Sequence, residues 1–300
     1  MNSINGIILL NKSYGISSNK ALQQTKHLIG ESKAGHTGSL DPLATGMLPL
    51  CFGEATKVCK FLLNANKKYR VVAKFGRSTS TGDVEGDIIK TSNIHPLSKK
   101  EWKQILRRFE GEIEQVPPMY SALKKNGVRL YKFARQGKVV ERDGRLIKIS
   151  SISLNSFTQD SIDITVDCSK GTYIRVLVED IARAAGMEGH TSYLHRIEIG
   201  DFKENEMISF DELEVMYTTD RESFLRSVMS IDSALKYFSI TNLDSNQTKR
   251  FINGQPININ ESLQKSYRVY DSKENSLALE KKMKINCSHH EEYFICSDNK

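Results

Sequence analysis

The chain has 300 residues, 39% apolar and 26% charged, with 43 Lys/Arg against 36 Asp/Glu for a net charge of +7. That is the composition of an ordinary globular protein, long enough for one large domain and a small one. No apolar run approaches the roughly 20 residues of a membrane helix. The run Ile7–Leu10 is too short for a signal-peptide core, and Cys51, Cys59, Cys168, Cys287 and Cys296 form no disulfide framework, so a reducing cytoplasm is expected.

In chain order, Gly6–Leu10 reads as a buried strand and Ser18–Ile29 as a helix, with Ser17 or Ser18 as cap and Gly30 as stop. The segment Gly35–Pro49 holds three glycines and two prolines, which predicts neither a helix nor a central strand. Glu54–Leu63 reads as a helix. Tyr69–Phe75 reads as a strand whose Val71-Val72-Ala73 run predicts cover on both faces. Gly76–Gly86 reads as a flexible loop. Ser98 caps an amphipathic helix carrying Trp102, Ile105, Leu106 and Phe109. Met119–Lys148 contains nine Lys/Arg against two acids, the excess of the whole chain, interleaved with aromatics and divided by glycines. That pattern predicts a protruding hairpin or flap that meets a polyanion, or else a solvated basic face. Ile162–Cys168 alternates as a half-buried strand. Helical spacing follows from Tyr173 to Gly186, then over Ser209–Tyr217 and Arg221–Tyr237. Composition changes near Phe238, where a small β-rich module is expected to begin, with Tyr267–Tyr270 as one strand. The irregular mixture predicts an α+β fold with a mixed, largely antiparallel central sheet flanked by helices.

No phosphate loop, dinucleotide fingerprint, zinc-protease helix or nucleophile elbow is present. Cys287, His289, His290 and Cys296 lack paired zinc spacing and read as a solvated tail. Within Gly35–Pro49, Asp41 stands alone, with no second acid beside it in the sequence. Asp before Pro commonly marks a turn, whereas the apolar residues around it suggest a pocket wall. His36 has a comparable double reading. Tyr69 opens a strand as an edge-of-core residue or a pocket residue. Tyr173 and Arg175 lie two apart after a Gly-Thr turn, where Arg175 either starts an exposed helix or pairs with a buried acid.

The motif Gly35-His36-Thr37-Gly38-x-Leu40-Asp41-Pro42-Leu43-Ala44-Thr45-Gly46-Met47-Leu48-Pro49 resembles the catalytic motif of the bacterial tRNA pseudouridine-55 synthase family. Leu9–Asn19, Lys68–Val71, Gln115–Lys124 with Leu130-Tyr131 and Ala134–Gly137, and Cys168–Arg175 resemble its other motifs in order. Ser13 and Leu146 stand where prolines are usual, and His195 where an arginine is common. The region after Phe238 resembles the family's PUA-type module only loosely.

The resemblance implies a catalytic domain over 1–237 with a thumb at about 120–148, and a PUA-like module over 238–300. It implies isomerisation of uridine 55 in the T-arm stem-loop of tRNA by a monomer without cofactor, metal, membrane or obligate protein partner. Asp41 would be the essential carboxylate, acting at C1′, at C6 or through a glycal. Arg175 would pair with it, and Tyr69 would stack on the flipped uracil. Tyr173 and Leu194 would wall the pocket, and His36 would fill the vacated space in the RNA loop. Lys12, Lys124, Arg129 and Arg135 would bind RNA. Two alternatives stand beside this: a tRNA-folding chaperone, and a guide-dependent rRNA pseudouridylase.

Overall fold

The computed structural model describes residues 4–255, 257, 267–272, 276–280 and 294–295. Its centre is an eight-stranded sheet. The spatial order is β1 (Gly6–Lys12), β3 (Thr45–Phe52), β12 (Gly189–Ile199), β4 (Lys67–Phe75), β11 (Ser161–Cys168), β10 (Arg145–Phe157) and β7 (Gly111–Gln115), with β2 (Ala34–His36) also paired to β3. Only the β3–β12 contact is parallel. The predicted largely antiparallel α+β architecture is therefore present.

Helices α1 (Ser18–Ile29), α3 (Lys99–Arg107), α5 (Ile174–Ala184) and α6 (Phe210–Thr219) bring their apolar faces to one side of this sheet, around Ile8, Leu48, Val71, Ile164 and Leu177. Ile7, Leu9, Met47 and Cys51 face a second cluster on the other side of β1 and β3, with Ala55, Val58, Leu62 and Ile231. Those two strands are buried on both faces, which explains their unbroken apolar runs. β4 differs from expectation. It alternates, with Tyr69, Val71 and Ala73 inward and Arg70 and Lys74 exposed.

Several other expectations are corrected by tertiary pairing. The end of Gly35–Pro49 is a central strand after all. The Pro49 carbonyl accepts from Thr37 N at 3.1 Å. A residue's N and O point to the same side of a strand, so the missing N–H faces the point where β2 stops, and no β1 ladder bond is lost. Gly46 makes the parallel contact with β12 possible. Its φ is +96°, and a Cβ there would stand 2.4 Å from Arg196 O.

The 76–86 loop contributes β5 (Arg77–Thr79), which pairs with β6 (Ile88–Thr91). Glu54–Leu63 is a 3-10 segment, Gly53–Val58, followed by α2 (Cys59–Asn64). The helix expected over 221–237 is interrupted after α7 (Arg221–Ser227), because Met229 leaves it to exchange two backbone bonds with Ile7 and complete the edge of β1.

The basic segment leaves the sheet at Gln115 and returns at its partner Arg145, so the thumb ends at 144, and Arg145–Lys148 belong to β10. It contains the hairpin β8 (Lys124–Lys125) and β9 (Val128–Arg129), turned by Asn126 and Gly127 at positive φ, then α4 (Leu130–Ala134). After Phe238 a second sheet forms from β13 (Ser239–Asn242), β14 (Tyr267–Tyr270), β15 (Ser276–Glu280) and β16 (Phe294–Ile295). The cluster of Cys287, His289, His290 and Cys296 lies outside the described residues.

Candidate active site

The turn that carries Asp41 is fastened from below. Ser18 Oγ accepts from Leu40 N at 2.7 Å and donates to Leu40 O at 3.1 Å. Lys12 Nζ donates to Ser13 O, Ile16 O and Pro42 O at 2.8, 2.7 and 3.3 Å. Lys12 is wholly buried, and burial pulls its ammonium down to about 8. The structure thus places Lys12 beneath the loop, with its three donors directed at backbone, rather than on an RNA-facing surface. Leu40, Leu43, Ala44 and Met47 are likewise buried in the cores, so the apolar residues of this segment are anchors more than pocket wall.

Arg175 enters from the first turn of α5 and is almost fully buried. Its start is set by Gln115, whose side chain accepts from Tyr173 N at 2.7 Å and donates to Tyr173 O at 3.1 Å. The guanidinium then joins three segments. Nε pairs with Asp41 Oδ2 at 2.8 Å, Nη1 donates to Thr81 O and faces Asp83 Oδ2 at 3.6 Å, and Nη2 donates to Tyr120 O at 2.8 Å. One planar fork with fixed donor directions can make these contacts, and an ammonium could not.

Asp83 is the second acid that sequence reading missed. Its side chain is 5% exposed and accepts from Thr81 Oγ1 at 2.6 Å and Glu85 N at 3.1 Å. Its signal was the glycine bracket. A Cβ on Gly82 would meet Glu179 at 2.9 Å, and one on Gly86 would meet Thr81 Oγ1 at 2.4 Å, so the loop closes this tightly only with glycine.

Asp41 keeps 41% of its side chain open while protein surrounds the rest. Burial pushes its carboxyl above the usual range. Arg175 works against that shift without cancelling it, and the Asp83 charge adds to it.

The β4–β12 ladder assembles a second group. Tyr69 pairs with Arg196 and Val71 with Leu194, so Tyr69, Leu194 and Arg196 share the inward face. Arg196 is 1% exposed and donates to Met47 O at 2.7 Å and Gly38 O at 3.1 Å, tying β12 to the segment that carries Asp41. It too was missed, although its two-residue offset from Leu194 predicts the shared face. Burial raises the Tyr69 phenol, with Arg196 opposing. Burial also raises Tyr173. His36 ends β2, and burial, helped by Arg196, lowers its imidazole; its Nδ1 is buried without a hydrogen-bond partner among the described residues. His195 points to the other face and bonds Thr45 Oγ1 at 2.7 Å.

Lys124, Arg129 and Arg135 are exposed on the thumb, with Lys124 opposite Arg129 and the Arg135 guanidinium 5.4 Å from the Tyr131 ring centre. The thumb reaches the Asp41 group through the Tyr120 carbonyl.

Residues 26–174 match the family model described as TruB family pseudouridylate synthase (N terminal domain), and 175–236 match that of the tRNA pseudouridylate synthase B C-terminal domain. A Marinomonas sp. (strain MWYL1) protein named tRNA pseudouridine synthase B is 43% identical over 271 residues, spanning 90% of this chain and 88% of that one. One of the same name from Legionella pneumophila (strain Paris) is 46% identical over 255 residues, 85% of this chain and 83% of that one. A chain in the crystal structure of a Cbf5-Nop10-Gar1 complex shares the fold, with TM-score 0.74 at 24% identity over 98% of this chain and 86% of that one.

Proposed function

The chain belongs to the TruB family of pseudouridylate synthases, and from that premise we propose that it isomerises uridine 55 to pseudouridine in the T-arm loop of tRNA. The relatives named tRNA pseudouridine synthase B support tRNA as the substrate. The observation that carries the chemistry is the 2.8 Å pair between Arg175 Nε and Asp41 Oδ2, with the Asp41 charge also acting on the buried Tyr69 phenol.

The reaction breaks the N1–C1′ bond, turns the uracil and joins C5 to C1′. No atoms are gained or lost, so no cosubstrate is required. In this reading the target base leaves its stack at about a few kcal/mol. Asp41 acts on the exposed nucleoside and Arg175 holds its carboxylate in position. Tyr69 packs on the uracil, and in its phenolate form it takes the departing proton and becomes the neutral phenol. Tyr173 and Leu194 close the pocket. His36 fills the vacated space in the opened loop. Lys124, Arg129 and Arg135 hold backbone phosphates, which makes affinity fall with salt. Lys12 acts as a positioning residue. The sheet after Phe238 serves as a PUA-like RNA contact, so that 1–237 and 238–300 divide the labour. The protein works in the cytoplasm as a monomer without a partner protein.

The test is incubation of the purified protein with an unmodified T-arm stem-loop, without guide RNA, read by carbodiimide mapping of pseudouridine. Conversion at the position equivalent to 55 is expected, with Asp41→Asn binding the RNA but converting none. No conversion, or conversion that requires a guide, overturns the reading. So does an Asp41→Asn protein of normal rate, which would leave RNA binding as the main work.

A further inference from the structure

Two thiols stand outside everything assigned so far. Cys51 lies on β3 with no exposed surface, and Cys59 opens α2, half-buried against the same apolar cluster. Gly35 on β2 is the register partner of Cys51, so their Cβ positions share a face about 4.5–5.5 Å apart. A Cβ on Gly35 would lie 3.6 Å from Cys59 Sγ. The absent side chain of Gly35 leaves the space that Cys59 occupies on the face shared with Cys51. The nearness of Cys51 lowers the Cys59 thiol, while Cys59 and burial raise that of Cys51, so Cys59 is the readier thiolate.

We propose that Cys51 and Cys59 form an oxidisable pair that closes to a disulfide under peroxide, tethering α2 to β3 beside Gly35 and His36. The Cys59 thiolate attacks one oxygen of hydrogen peroxide. The O–O bond breaks, hydroxide leaves and is protonated to water, and Cys59 becomes a sulfenic acid. Cys51 then loses its proton and attacks that sulfur. The S–S bond forms, the S–O bond breaks, and a second water departs. Two thiols are oxidised and one peroxide is reduced. Cys59 has the exposure to meet the oxidant, and Cys51 is the resolving thiol beneath it. The proposal is independent of any RNA substrate.

Trypsin separates the partners, since cleavage after Lys33, Lys57 and Lys60 puts Cys51 in peptide 34–57 and Cys59 in peptide 58–60. The full chain is treated while folded with equimolar hydrogen peroxide, alkylated and digested without reductant. Expected is a linked 34–57/58–60 species about 2 Da lighter than its two reduced peptides together, reversed by dithiothreitol. It should persist in a Cys287→Ser, Cys296→Ser background and vanish in Cys59→Ser. Overturning results are a linked species that forms only in urea-unfolded protein, or Cys59 oxidised to sulfinic acid with Cys51 left reduced, or no oxidation of either thiol.

Discussion

Replacing Arg175 with methionine keeps most of the side-chain volume and removes the charge, so it isolates the electrostatic role of the guanidinium. Arg175 and Asp83 are each 5% exposed, and Asp41 is 41% exposed. Breaking a buried ion pair from one side costs about 3–5 kcal/mol, and the open Asp41 side is screened, so we expect about 3 kcal/mol at pH 8. The loss should depend on pH. Asp41 already sits above the usual carboxylate range because of burial, and Arg175 is the first group opposing that shift. Without it the folded-state value rises further. A raised acid favours the folded state only when protonated, and this contribution is lost as pH rises through its folded value. The variant's deficit should therefore be largest at pH 8 and shrink toward pH 5, by about 1.4 kcal/mol for each unit of added shift. Urea denaturation of both proteins at the two pH values, followed by circular dichroism, measures this. A deficit equal at pH 5 and pH 8, or below about 1 kcal/mol at pH 8, would refute the reasoning.

Gly46→Ala should cost about 3 kcal/mol or more, from a positive φ plus a Cβ forced onto the Arg196 backbone, whereas Gly30→Ala, also at positive φ but with open space, should cost about 1. Comparison of melting temperatures checks it, and equal shifts would contradict the close approach of β3 and β12. Gln115→Leu strands the half-buried Tyr173 amide at about 1 kcal/mol and should lower turnover more than RNA affinity, measured by single-turnover kinetics beside a filter-binding assay. Lys124→Glu with Arg129→Glu should leave the melting temperature within about 1 °C, because both are exposed, yet weaken RNA binding and flatten its log–log salt slope by about 0.7 per lost phosphate contact. A slope unchanged from the parent protein would remove these two residues from the interface.

Local patterns were legible where local physics decides them. The Ser98 cap is present as expected, with Glu101 completing a capping box, as are the Ser17 cap and Gly30 stop of α1. The basic run announced the thumb, because a glycine-divided hairpin needs only its own turn residues to form. Asp41 and Arg175, joined in expectation by resemblance, are joined in the fold by a direct ion pair.

Long-range pairing was not legible. Pro49 looked incompatible with a central strand until β2 was seen to end beside it. Met229 follows a helical stretch, yet β1 draws its backbone into a bridge because an unpaired strand edge leaves donors and acceptors open. Asp83 is 42 positions from Asp41, and no spacing rule links them. The sequence by itself therefore determined the α+β class and the basic, glycine-divided segment, since periodicity and turn chemistry act over a few residues, while the resemblance singled out Asp41 and Arg175. Only the tertiary structure decided that Arg175 serves two acids and the thumb root at once, and that Arg196 faces Tyr69. It also placed Lys12 beneath the loop, because each of these depends on which distant backbone groups the sheet brings within hydrogen-bonding reach.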